Sequence, residues 1–210
     1  MITGDFHGQP RQAAQGTEEA EAAEEADAGR DRALGVAARR RRREVARTAR
    51  LVVRELTTDD AAFIVALLND PDWIRNIGDR KVRTDDDARA YIAAGPAAMV
   101  AQHGFGLWGV ARTDDPELIG MCGLIRRANL DDVDIGFAFL PAFRGQGYAA
   151  EAAAASVEVA RARFGLRRLV GIVSPSNVAS IRLLEKLGMT YERTLELTPG
   201  DPVRLFGMAL

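Results

Sequence analysis

The sequence predicts one mixed α/β domain over residues 51–210. Its sheet is expected to have six to seven strands, mainly antiparallel, with a central parallel pair and helices on its flanks. Three observations carry this. Short apolar runs are separated by tight polar turns, "TDDPE" and "ANLDD", which imply hairpins. From Val133 onward a strand, a long helix and another strand follow in series, which implies a right-handed crossover and parallel pairing. Before the hairpins lie helical segments with an apolar face and clear capping residues.

Taken in order, "LVVREL" from Leu51 reads as a strand. "TTDDAAFIVALLND" offers Thr58 as an N-cap, acids in the first turn, and Phe63, Ile64, Leu67 and Leu68 on one face; Asp70-Pro71 ends it. "DPDWIRNIGDRKVRT" reads as a polar connection in which Trp73 and Ile74 look exposed. In "TDDDARAYIAAGPAAMVAQHG", Thr84 caps a helix with Asp87 three positions on, and Gly104 closes it. Pro96 predicts a kink or break inside that run.

Strands are then expected at 105–112, 118–127 and 133–140, the last stopped by Pro141. "YAAEAAAASVEVARARFG" is a helix ended by Gly165, and "RRLVGIVS" a short buried strand. "SNVASIRLLEKLG" is a second capped helix with Gly188 as its stop, and "MTYERTLEL" and "PVRLFGMAL" are two strands joined by "TPGD".

Residues 1–50 differ from the rest. "TEEAEAAEEADAG" is acidic and alanine-rich, and Arg39 to Arg43 form an unbroken basic run; neither places apolar residues at helical spacing. The segment reads as a low-complexity, disordered or weakly helical tail, or as the product of a start codon assigned too far upstream. It holds ten arginines against nine acids, whereas residues 51–210 hold 18 basic against 21 acidic residues. The domain is therefore mildly acidic and unlike a nucleic-acid binder, with the run from Arg39 to Arg43 as the one stretch that suits RNA or an acidic partner. An acidic domain also favours a cationic acceptor through long-range steering. No apolar run approaches the roughly 18 residues of a membrane span, and no basic-then-apolar leader opens the chain. The single cysteine, Cys122, leaves no internal disulfide and no cysteine metal cage, so a reducing cytoplasm is the expected compartment.

The chemistry concentrates at "FRGQGYAAEA", residues 143–152. Backbone N–H groups at a helix start have no intrahelical partner and sit at the positive end of the dipole. Gly145 and Gly147 let an anion approach them closely, and Arg144 adds a charge suited to a pyrophosphate. A glycine-bearing turn with a surface arginine explains the same residues.

The spacing Arg144-x-x-Gly147-x-Ala149 resembles the acetyl-coenzyme A signature of the GNAT superfamily of N-acetyltransferases. "FGLWGV", "IGMCGL", "DIGFAFLPAFRGQGYAAEA" and "VSPSNVASIRLLEKLGM", in this order, extend the resemblance to its ribosomal-protein alanine N-acetyltransferase branch. The resemblance implies acetyl transfer from acetyl-coenzyme A to a primary amine, a protein N-terminal α-amine or a small-molecule amine, in a ternary complex and without a metal. It implies that the backbone of Arg144, Gly145, Gln146, Gly147, Tyr148 and Ala149 holds the pyrophosphate. The pantetheine arm would pair with the strand around Phe137, Phe139 and Leu140, in a slot opened by splaying of the two parallel strands. Asn177 would bond that arm, although helix capping explains it equally. A tyrosine that protonates the leaving thiolate in many relatives corresponds here to Leu184, which leaves Ser180 as the candidate acid. Asp134 is the candidate base, against a plain role as a polar residue opening a strand. Glu151 reads as a dipole or sheet anchor, His103 as a surface or cap residue, and Cys122 as a buried small residue. Trp73 and Ile74 are expected to shape the acceptor site. A homodimer is in keeping with the resemblance, and the alternative function is a non-catalytic module that binds acyl-coenzyme A or a partner.

Overall fold

A computed structural model describes residues 43–198 and 200–210. Most of the low-complexity segment, with Arg39 to Arg42, lies outside the described residues. The strands are β1 (Glu44–Arg47), β2 (Leu51–Arg54), β3 (Leu107–Arg112), β4 (Leu118–Ile125), β5 (Asp134–Phe139), β6 (Arg168–Val173), β7 (Thr190–Thr198) and β8 (Asp201–Ala209). The helices are α1 (Ala61–Leu68), α2 (Pro71–Ile77), α3 (Asp85–Ile92), α4 (Ala98–His103), α5 (Tyr148–Phe164) and α6 (Val178–Lys186).

All eight strands form one sheet in the order β1-β2-β3-β4-β5-β6-β8-β7. Every neighbouring pair is antiparallel except β5 and β6. The sheet thus has one strand more than the sequence suggests. The addition is β1, four residues inside the segment that reads as a tail, which pair with β2 as an edge strand.

Side chains on the two sheet faces feed separate apolar clusters. In β4, Cys122 and Leu124 enter the cluster under α5 and α6, while Leu118 and Met121 enter the cluster under α1 and α3. In α1, Ile64, Leu67 and Leu68 are buried as their spacing requires, and Phe63 packs at the margin of the same cluster. Each fully buried side chain of this kind contributes about 1.5–3 kcal/mol.

Local signals settle most boundaries. Thr84 and Asp87 form the reciprocal capping box at the start of α3, and Gly104 closes α4 in the left-handed conformation, φ 78°. Pro96 has no N–H to donate, and the helix passes it through a π-helical turn, Ala93–Ala97, that joins α3 to α4. Thr58 is not the cap of the first helix. A 3-10 turn, Thr58–Asp60, precedes α1, and its capping box is made by Thr57 and Asp60.

Asp60 has a second role. Its carboxylate takes both ends of the Arg54 guanidinium at 2.9 Å, and both residues are buried. Deleting one partner leaves a charge in the interior with no counter-charge at its side. Asp60→Ala is expected to lower the unfolding free energy, measured in urea, by about 3 kcal/mol or more. Replacing the pair together, Arg54→Met with Asp60→Leu, is expected to recover most of that loss.

Candidate active site

The parallel strands β5 and β6 touch at a single register position, Asp134 opposite Val170. Beyond it they diverge, while β5 stays paired along its length with β4. The β6-facing edge of β5 is therefore left without a strand partner, and its amides are free for another extended chain. A cavity of about 420 Å³ lies here, with Asp134, Phe137 and Ala138 on one wall, Asn177 and Ser180 on another, and Trp73 on a third. The anticipated splay is present. Phe137 lines it, whereas the side chains of Phe139 and Leu140 pack into the two cores.

The turn of residues 143–149 follows β5 through a 3-10 turn, Pro141–Phe143. Gly145 and Gly147 both lie in the left-handed region, φ 73° and 83°, so the backbone path alone requires glycine at each. Gly147 is the N-cap of α5, and no side chain caps that helix. A Cβ at Gly145 would meet nothing within 4 Å. An open cradle in front of uncapped N–H groups fits a diphosphate, in backbone conformation as well as in space. Tyr148 and Ala149 are half-buried in the first turn of α5, and Gln146 Nε2 donates to the Ala142 carbonyl at 2.8 Å.

The charge expected of Arg144 is directed elsewhere. Its guanidinium donates to Asp70 and Asp72 at 2.6 Å each and to the Phe139 carbonyl at 2.8 Å. Burial alone would raise the Asp70 carboxyl, but the Arg144 hydrogen bond and the N–H groups of Trp73 and Asp72 hold it below the usual carboxylate range. The cation that lies over the turn is instead Arg50. It donates to the Gln146 carbonyl at 3.1 Å, stacks 4.6 Å from the Tyr148 ring and pairs with Glu151 at 2.7 Å. Glu151 also accepts from the Thr48 hydroxyl at 2.5 Å and the Arg50 N–H at 3.1 Å, so it anchors the β1–β2 turn to the start of α5.

At the other wall, Asn177 is the N-cap of α6 and its Oδ1 accepts from the Ser180 N–H at 3.1 Å. The capping explanation is correct for that oxygen. The Asn177 amide nitrogen has no partner among the described residues, which leaves it available to the cavity. Ser180 is half-buried and its hydroxyl donates to no described group.

Asp134 is 1% exposed, with Oδ2 on Arg127 at 2.7 Å and Oδ1 on the Ile172 N–H at 3.3 Å. Burial raises its carboxyl to about 6, against the opposing pull of Arg127. Cys122 lies outside the cavity wall, buried against the Ser156 hydroxyl at 3.4 Å, and burial pushes its thiol up to about 12. That chemistry suits a core residue and not a nucleophile. His103 stacks on Phe105 at the end of α4, away from the cavity.

The acceptor side differs most from expectation. Residues 71–77 form a helix and not a polar connection. Asp70 caps α2 through the N–H groups of Asp72 and Trp73, and Pro71 takes the first helical position. Trp73 is buried, and it lines the cavity; Ile74 is exposed and does not. Arg80, Tyr91 and Arg127 also line the cavity, and no local sequence signal marks them. Asp-Pro signals a helix start as readily as a stop, and that signal was available for α2.

Residues 50–190 match the family model described as the acetyltransferase (GNAT) domain. The "uncharacterized N-acetyltransferase YoaA" of Bacillus subtilis is 31% identical over 149 residues, 70% of this chain and 84% of its own length. Among solved structures, the acetyltransferase from Agrobacterium tumefaciens superposes with a TM-score of 0.66 at 25% identity, over 78% of this chain and 92% of that one. The ribosomal L7/L12 α-N-protein acetyltransferase RimL, solved in complex with coenzyme A, shares the fold with a TM-score of 0.67 at 18% identity, over 80% of this chain and 98% of its own.

Because Arg144 ties the turn to the start of α2, Arg144→Ala is expected to destabilise the ligand-free protein. Loss of its charge-assisted bonds to a buried cap should cost about 1–3 kcal/mol in urea unfolding. An arginine that only awaited a phosphate would leave ligand-free stability unchanged.

Proposed function

The chain belongs to the GNAT acetyltransferase family, and from that premise we propose that it moves acetyl from acetyl-coenzyme A directly to a primary amine in a ternary complex. The observation that carries the reading is the divergence of β5 from β6, which leaves an open strand edge beside a cavity, with an uncapped helix start following β5 along the chain. The backbone from Arg144 to Ala149 would hold the diphosphate. The free edge of β5 and the amide nitrogen of Asn177 would hold the pantetheine amides, so the thioester reaches the cavity between Asp134 and Ser180. When bound, the co-substrate supplies an activated acyl group on a good leaving group.

The remaining steps belong to the chain. The amine nitrogen forms a C–N bond at the thioester carbonyl while the C–S bond breaks and its electron pair goes to sulfur. Asp134, with its carboxyl raised to about 6, takes the proton that the amine loses. The Ser180 hydroxyl gives a proton to the thiolate and regains one from solvent. Cys122 takes no part, since its thiol is buried and protonated, and a reducing cytoplasm suits such a thiol.

Thiol release from acetyl-coenzyme A on adding a panel of amines, protein N-termini included, tests transfer itself. Tight binding without release across the panel would make the protein a non-catalytic acyl-coenzyme A module. Ser180→Ala is expected to lower kcat roughly 10²-fold, the scale of one positioned acid; near-native turnover would remove Ser180 from the mechanism. A base must be deprotonated to work, so kcat at saturating amine is expected to fall by a one-proton limb as pH drops through about 6. Asp134→Asn should abolish that limb.

A further inference from the structure

Three residues lining the cavity carry formal charge, Arg80, Arg127 and Asp134. Asp134 and Arg127 neutralise each other at 2.7 Å. Arg80 remains, with no ion pair among the described residues. Its sequence neighbour Asp79 cannot compensate it, because both Asp79 oxygens are held by Arg83 at 2.7 and 3.0 Å. The cavity wall is therefore net positive, although residues 51–210 are net negative.

The loop that carries Arg80 is built. Asn69 Nδ2 donates to the Val82 carbonyl at 2.7 Å and Val82 is buried. Asp79 Oδ1 accepts from the Lys81 N–H at 2.8 Å, and Lys81 is held left-handed at φ 56°, the one described non-glycine residue with positive φ. A left-handed lysine is strained and persists only where the surroundings impose it. The charge of Arg80 is felt at the Tyr91 phenol, which also lines the cavity: burial raises that phenol and Arg80 pulls it down. The wall thus offers an uncompensated fork of donors and a phenol, and the one carboxylate on it is already paired.

We propose that the acceptor is an anion, a primary amine carried close to a carboxylate or phosphate, and that Arg80 receives that oxyanion. The proposal rests on the acetyl-transfer reading above. A guanidinium fork matches either oxyanion in bidentate geometry, which fixes the amine relative to the thioester. The overall acidity of the domain acts at long range and is screened beyond about 10 Å, so the sign that an acceptor meets is set by the wall. Free amino acids, amino phosphates and acidic peptides share the required chemistry.

The test uses pairs of amines that differ in the anion alone: an amino acid and its amide, an aminoalkyl phosphate and its alcohol, a dipeptide with free and amidated C-terminus. For the full chain, kcat/KM is expected to favour the anionic member by about tenfold or more, the scale of one charge-assisted contact, and mainly through KM. The pair showing the largest ratio identifies the source. Arg80→Gln should bring the ratio toward one and Arg80→Lys should restore part of it. Equal rates within every pair, or an equal effect of Arg80→Gln on both members, would overturn the proposal. Should no amine release thiol, calorimetric titration of the same pairs into the acetyl-coenzyme A-loaded protein reads the preference directly. Tighter binding of the anion, lost in Arg80→Gln, then upholds the anion site while transfer fails, and equal or absent binding overturns it.

Discussion

Everything at the site follows from how little β5 and β6 hold each other. Their backbones meet at Asp134 and Val170 and then separate. Two positions farther along β6, where backbone pairing with β5 has stopped, the Asp134 carboxylate itself accepts the Ile172 N–H. A side chain thus completes a ladder that the main chain has abandoned. The group doing so is a carboxylate at 1% exposure, which water would otherwise stabilise. Arg127 makes that placement tolerable, although burial outweighs it in setting the carboxyl's proton affinity.

The turn after β5 is built the opposite way. Between Arg144 and Glu151 the chain has two left-handed glycines and no side-chain cap. Both ends of that open stretch are fixed from distant parts of the sequence, by Asp70 and Asp72 on one side and by Thr48 and Arg50 on the other. Rigid flanks around an undecorated backbone keep the N–H groups aligned. Both glycines are therefore needed for the path of the turn, and Gly145 also leaves open room in front of it.

What could be read in advance was whatever depends on near neighbours. The Thr84–Asp87 box, the break at Pro96, the Gly104 stop and the turn before α5 are encoded within a few residues. The site's electrostatics are not. Arg144 finds its partners 72 and 74 residues away, Arg50 finds Glu151 at a separation of 101, and no local pattern relates them. Trp73 looked exposed because its neighbours are polar. Its burial comes from α2 docking against the apolar face of α1, α3 and β4, and that docking turns on Asp70, a residue that can end one helix and begin the next. β1 is hidden for another reason: "EVAR" has too little apolar content to stand out, and pairing with β2 alone makes it a strand.

That short strand and the turn after it bear on where the folding unit starts. Apolar patterning becomes recognisable at Leu51, and a chain cut there would keep every helix, the central strands and the whole glycine turn. It would lose Thr48 and Arg50, and with them the three donors that orient Glu151 and the contact that fixes the Gln146 carbonyl. β2 would become the bare edge of the sheet. Hydrophobicity and cooperativity thus draw different borders, and dissection of this protein should respect the second, beginning no later than Arg43.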